Sequence, residues 1–196
     1  LAERIKELDT EKLDKFNAKP PFLDVVQSLP EDSRMFDKDG RFIKPENKIC
    51  KMVVKFLDGV WFEDYVYDIL ASKFKDSHYK IYKNWEIKKP EWNTQFQLDV
   101  ILMKGYQLIG ISCTTSQEKY ISKSKGFEII HRVRQIGGDE AKAVLITMVN
   151  DKTKMDLHEE LETDTGGTKA NILVLGNSDL KEERLIAKIS DFVRED

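Results

Sequence analysis

The stretch LDVILMKGYQLIGISCTTS, Leu98–Ser116, holds the residues with the most chemistry to offer. Asp99 stands mid-run between Leu98 and Val100. An unpaired carboxylate in such a place is costly, because an apolar surrounding removes the water that stabilises its charge. A solvated strand edge avoids that cost, and a bound divalent cation offsets it. Ser112 and Thr114 share one face of the next apolar run, since strand side chains repeat every two residues, and they can reach the same space as Asp99. Hydroxyls are weak ligands for magnesium, and neither replaces an ammonium. The pair therefore either lines a site or is ordinary strand polarity. A serine nucleophile is disfavoured, because no histidine is placed by a recognisable elbow.

Other charged groups matter only in combination with Asp99. Glu63, beside Trp61 and Phe62, would alone be a solvated helix acid. Lys123, Lys125, Glu128, His131, Arg132 and Gln135 form the polar side of a helix whose apolar side carries Phe127, Ile130 and Val133. Such a row is commonly a solvated face, but this helix leaves the strand of Ser112 and Thr114, so its first turns can lean over the same space. A lysine there could stabilise a pentacoordinate phosphate or orient an attacking water. Lys125, Glu128 and Arg132 should line one polar face. Lys123 lies about 200° from Lys125 at about 100° per residue, so at most one of the two lysines points squarely inward. His78 and His158 have no ligand-spaced partners, and TDTGGTKAN lacks the spacing of a phosphate loop.

The elements that must position these groups follow from periodicity. VWFEDYVYDILASKF reads as a helix with Phe62, Tyr65, Val66, Ile69 and Leu70 on one broad face. Three strands follow: YKIYKNWEI, QFQLDVILM and YQLIGISCT. In the second, Phe96, Leu98, Val100 and Leu102 are expected to face one way and Gln95, Gln97, Asp99 and Ile101 the other. A tight hairpin at Lys104-Gly105 joins the second and third. A helix through EKYISKSKGFEIIHRVRQI should stop at Gly137-Gly138. AKAVLITMV is a buried strand, TKMDLHEELE a short helix, DTGGTKA a loop, NILVLG a strand and DLKEERLIAKISDFV the closing helix. The hairpin followed by strand–helix–strand units predicts an α/β fold with a mixed sheet flanked by helices.

Before this core, ERIKELDTEKLDKF and PPFLDVVQSLPEDS read as small helices, FDKDGRFIKPEN as an ordered linker turning at Asp39-Gly40, and KICKMVVKFL as a helix. The expected division is a helical connector over residues 1–46 and one domain over 47–196. The chain opens on Leu1 rather than Met, which suggests a piece of a longer protein.

Composition excludes several classes. With 40% apolar residues the 196-residue chain can build a sizeable core, and a net charge of −3 rules out a wholly basic clamp for nucleic acid. Contact with a polyanion must come from a local patch. Cys50 and Cys113 make neither a disulfide framework nor a zinc cluster, and Cys113 reads as a small buried hydrophobe. No apolar run is long enough to span a membrane, and LAERIKELDTEKLDKF lacks a signal-peptide core. Together these features favour the cytoplasm.

In order, GVWFEDYVYDIL, QFQLDVILM, LIGISCTTS and KGFEIIHRVRQIGGDEAKAVLIT resemble the restriction-endonuclease-like PD-(D/E)xK fold. More narrowly, they resemble the C-terminal nuclease domain of CRISPR ancillary nucleases that carry an N-terminal CARF sensor for cyclic oligoadenylate. The family's Gly-x-Trp-Leu-Glu helix is matched by Gly59, Trp61, Phe62 and Glu63, and its Asn-Glu-x-Asp strand by Phe96, Gln97, Leu98 and Asp99. The resemblance covers residues 47–176, and LPEDSRMFDKDGRF is similar to the family's connector; the sensor has no counterpart in this chain. Gln97 stands where the family has an acid, and Ser112-Cys113-Thr114 where it has Glu-x-Lys.

The resemblance implies a phosphodiesterase dependent on manganese or magnesium, acting on DNA or RNA, commonly as a homodimer. Glu63 and Asp99 would hold the ion, and Lys125 or Lys123 would replace the missing strand lysine. Gln97, Ser112, Thr114, Glu128 and Gln135 are the residues expected to line such a site, with Glu128 the one acid able to reach in from the helix. The rival expectation is a catalytically inactive module that dimerises or binds nucleic acid.

Overall fold

The computed structural model describes residues 24, 27, 28, 31, 34, 36–41, 55–74, 78–88, 95–166 and 171–194. The helix expected over residues 3–16, residues 48–54 of the helix expected as KICKMVVKFL, and residues 167–170 of the expected loop DTGGTKA lie outside them. The chain divides into two compact units, Leu1–Trp61 and Phe62–Asp196. In the first, Asp24 and Gln27 are helical. Asp37 organises the turn that follows: its Oδ1 accepts from the N–H groups of Asp39 and Arg41, each at 2.9 Å.

The chain then runs α1 (Trp61–Phe74), β1 (Tyr79–Lys88), β2 (Gln95–Lys104), β3 (Gln107–Thr114), α2 (Lys119–Gly137), β4 (Lys142–Thr147), α3 (Asp151–Asp164), β5 (Ile172–Leu175) and α4 (Glu182–Arg194). The strands form one sheet in the order β1-β2-β3-β4-β5. β1, β2 and β3 pair antiparallel, whereas β3, β4 and β5 pair parallel. This is the expected α/β architecture, a mixed sheet with helices on both faces. Among the described residues no helix is long and apolar enough to cross a membrane.

Each face of the sheet has its own core. Val100, Leu102, Ile109, Ile111 and Cys113 pack with Phe62, Val66 and Leu70 of α1 and Leu185 and Ile189 of α4. On the other face, Leu98, Ile101, Leu108 and Leu145 pack with Ile129, Ile130 and Val133 of α2 and Leu157 and Leu161 of α3. Tyr65, expected on the buried face of α1, is instead 38% exposed, and its hydroxyl donates to Leu180 O at 2.7 Å. A phenol needs a polar partner, so it settles at the rim. The helix expected as TKMDLHEELE is longer at both ends, and its earlier start follows from Asn150, whose Oδ1 accepts from Thr153 N at 3.0 Å as an N-cap.

The hairpin loop falls one residue later than expected. Lys104 still pairs with Gln107, and Gly105-Tyr106 turns the chain, with Gly105 at φ 61° where a side chain would be strained. A second correction bears directly on Asp99. Strict alternation along β2 fails: Leu98 and Ile101 both bury toward α2, whereas Val100 and Leu102 bury toward α1. The face slips by one residue at Asp99. β1 slips at the same level, since Ile81 packs on the α1 side and Ile87 on the α2 side. Lys83 pairs with Val100 and Trp85 with Leu98, and between them sits Asn84 with φ 52°, a left-handed conformation that asparagine tolerates better than most residues.

Two glycines let α2 lie close to its neighbours. A Cβ on Gly110 of β3 would come within 2.3 Å of Val133 Cγ1, and one on Gly126 within 2.5 Å of Leu161 Cδ1. We expect Gly110→Val to overpack this contact and lower unfolding stability by roughly 2 kcal/mol in urea titration, with the m-value kept. An unchanged midpoint would show that α2 does not rest on β3 at this point.

Candidate functional site

Asp99 enters the site through the slip in β2. Its Oδ2 accepts from Cys113 N at 2.8 Å and from Ser112 Oγ at 3.2 Å, which ties the carboxylate to β3 and leaves Oδ1 for another partner. Burial pushes the Asp99 carboxyl above its ordinary range. The Cys113 hydrogen bond, the Lys125 charge and the Ser112 hydrogen bond oppose that rise, and the Glu128 charge adds to it.

The carboxylate looks into a shallow cleft open to solvent, with about 30 Å³ of enclosed room. Gln97, Leu98 and Asp99 line it from β2, Ser112 from β3, and Lys125, Glu128, Ile129 and Arg132 from α2. The cleft suits an ion with its water, or a single phosphate group of something lying across it. Lys125 Nζ lies 3.3 Å from Glu128 Oε2, with both side chains about half exposed, so the ammonium is restrained at the rim. Arg132 is fixed more firmly. Its guanidinium stacks 4.3 Å from the Phe96 ring centroid, and its Nη1 donates to Gln135 Oε1 at 3.2 Å. Its buried Nε has no hydrogen-bond partner among the described residues.

The other residues singled out in the sequence are placed differently. Lys123 turns away, its ammonium 2.8 Å from Glu160 and 3.0 Å from Asp164 on α3. Hydrogen bonds from Lys119 and then Lys123 hold the Glu160 carboxyl down to about 2, so this clamp persists through ordinary acidity. Thr114 faces the turn into α2, where its Oγ1 accepts from Ser116 N at 3.2 Å. Gln135 serves Arg132 rather than the cleft, and Gln97 also donates to Asn84 Oδ1 at 3.0 Å. Glu63, on α1, does not line the cleft. It and Asp99 act on the same neighbour, Cys113, whose thiol is raised first by burial and then by the charges of both acids. Arg132 is the cleft cation that the sequence placed on the right face without assigning it a role. Its signal was the helical row with Lys125 and Glu128.

A divalent cation meets an incomplete protein shell here. Among the described residues no group of three or more His, Cys, Asp or Glu gathers closely enough to hold a metal. Magnesium, however, is commonly held by one or two carboxylates, with water and substrate phosphates filling the other positions. The free Oδ1 of a buried, charge-penalised Asp99 fits that mode, not a preformed cage.

No family model matches the chain, and no curated protein matches it. Solved structures are similar in fold. Can2 from Sulfobacillus thermosulfidooxidans, in complex with cyclic tetra-adenylate, superposes with a TM-score of 0.63 at 18% identity, over 96% of this chain and 51% of its own. Protein VC1899 from Vibrio cholerae does so with a TM-score of 0.61 at 15% identity, over 98% and 49%. At such identity the likeness is one of fold. The chain spans about half the length of either protein.

The buried charge makes a measurable prediction. Asp99→Asn keeps an acceptor for Cys113 N and removes the charge. Because folding raises this carboxyl's pKa, its penalty is absent below the ordinary value of 3.8 and grows as pH rises through the folded value. We expect chelator-treated Asp99→Asn to melt at or above the wild-type temperature at neutral pH, with the gap closing below pH 3.8. A variant several degrees less stable at neutral pH would mean that the charge is compensated within the fold.

Proposed function

We propose that this chain is the nuclease part of a CRISPR-associated antiviral effector, with a restriction-endonuclease-like core that hydrolyses phosphodiester bonds in DNA or RNA. The observation that carries the reading is the meeting of the buried Asp99 carboxylate with Lys125 and Arg132 across one shallow cleft. In this reading the chain acts in the cytoplasm as a homodimer. The activating ligand in this reading is a cyclic oligoadenylate, like the one bound to Can2. The likeness to Can2 supports the assignment at the level of fold.

Asp99 would hold manganese or magnesium through Oδ1, with Glu128, which lines the same cleft, as the second acid. When bound, such an ion supplies Lewis-acid activation of the phosphodiester and of water. The chain's own groups do the rest. Ser112 Oγ and Cys113 N fix the carboxylate's rotation. Lys125 stands where the helix can bring an ammonium to phosphoryl oxygens as negative charge develops, and Glu128 keeps it from swinging into solvent. Arg132, immobilised on Phe96, anchors a neighbouring phosphate.

The second reading, an inactive module, is favoured by Ser112-Cys113-Thr114, which offers neither an acid nor an ammonium, and by Thr114's engagement in the turn. Single-turnover cleavage of single- and double-stranded DNA and RNA, with and without manganese, separates the two. We expect metal-dependent cutting by wild type and none by Asp99→Asn. Lys125→Ala should slow the bound-state rate about a hundredfold or more. Lys123→Ala should have the milder effect, because its ammonium is committed to α3. Manganese should also raise the melting temperature of wild type and not of Asp99→Asn. Binding without cutting on every substrate, together with a manganese-insensitive melt, would establish the inactive module instead.

A further inference from the structure

We propose that Tyr82 and Trp85 of β1 form a stacking shelf for unpaired nucleobases beside the Asp99 cleft, so that the preferred substrate is single-stranded. This rests on the nuclease reading above and names the form of nucleic acid that the same site takes. Both residues are exposed, at 41% and 45%. Their ring centroids lie 5.2 Å apart with planes inclined by 37°, so they form one continuous apolar surface.

The slip at Asn84 explains how residues three apart share a face. Tyr82 pairs with Ile101 and Trp85 with Leu98, and both partners bury toward α2. In an unslipped strand the two rings would stand on opposite faces. The shelf therefore lies on the side of the sheet that carries the cleft, and Leu98, opposite Trp85, lines the cleft itself. Asn84, between the rings in sequence, stands at the level of Asp99 on the neighbouring strand, about 5 Å away across the sheet. A phosphate held by Lys125 and Arg132 leaves its adjoining bases over β1. Exposed Lys80, whose ladder partner Met103 packs on the same side, adds positive charge at the far end.

The cleft cannot admit a base, whereas the shelf offers flat π surface with nothing else to recognise. Aromatic stacking takes any base but only an unpaired one, because in a duplex both faces are covered by neighbouring bases. Edge strand β1 could alternatively pair with a second copy of the chain, and the test below includes that outcome.

The measurement is binding by the uncut Asp99→Asn protein, with fluorescein-labelled oligonucleotides, single-stranded and duplex, read by anisotropy. Adding Trp85→Ala or Tyr82→Ala should weaken single-strand binding about tenfold and leave duplex binding and the salt slope unchanged. Trp85→Phe and Tyr82→Phe should keep most of the affinity, which separates stacking from a folding defect. The proposal is overturned if the alanine variants bind single strands as tightly as their parent, if they lose both substrates equally, if neither form binds at all, or if the loss tracks conversion of a dimer to monomer in sedimentation. Should wild type fail to cut while binding still depends on the two rings, the nuclease reading fails and the shelf stands. Should wild type cut while the alanine variants cut subsaturating single strands equally fast, the shelf fails and the nuclease reading stands.

Discussion

A carboxylate held within a sheet must be offset by its surroundings, and much of this domain's geometry follows from how Asp99 is held. The two donors on its Oδ2 both come from β3, so β2 and β3 must stay in register for the charge to be tolerated. Access to those donors requires the side chain to leave the plain alternation of the strand. The slip at Asp99 provides this, and Asn84 absorbs the matching distortion in β1. Small residues at Gly110 and Gly126 then let α2 come near enough to bring cations over the carboxylate. Changing any one of these features alters the electrostatic balance of the others.

That balance also decides which cations of a protein of net charge −3 stay at the cleft. α2 divides its cations between two tasks. Lys119 and Lys123 neutralise Glu160 and Asp164 and bind α2 to α3. Lys125 and Arg132, on another face, remain at the cleft. A similar clamp holds the far edge: burial would raise the Asp179 carboxyl, but Lys154, Lys188 and Gly176 N together hold it down to about 2. The surplus acids are thus used to fasten helices, and the field at the cleft is set by groups next to it.

The fold was legible because its helices and strands follow clean periods and glycines mark their ends. The α1 apolar stripe, the stop at Gly138 and the parallel β4 and β5 are all readable in this way. The exceptions have local causes. Tyr65 was read by its ring and positioned by its hydroxyl. The slip at Asp99 leaves no trace in QFQLDVILM, because Val100 and Ile101 are equally apolar and either could face either core. In the site, helical angle alone separated Lys123 from Lys125. What it could not reveal was the pair of acids on α3 that claims Lys123, since they lie far along the chain. The role of Arg132 was hidden for the same reason: its clamp, Phe96, sits on a different element.

The Gly105-Tyr106 turn has a further consequence, for the order in which the domain assembles. Asp99 and both of its donors lie within the one hairpin that this turn closes, separated by only 13 and 14 positions along the chain. Closing so short a loop sacrifices little chain entropy, whereas the parallel pairing of β4 and β5 requires whole helices to be spanned first. The anchoring of the carboxylate is thus a contact of low sequence separation inside a sheet whose other half is topologically slow. A chain emerging from synthesis can complete that anchor while the strands that finish the sheet are still unmade. The anchor of the acidic centre is thus the most local part of the site, and its cationic partners come from the next element along the chain.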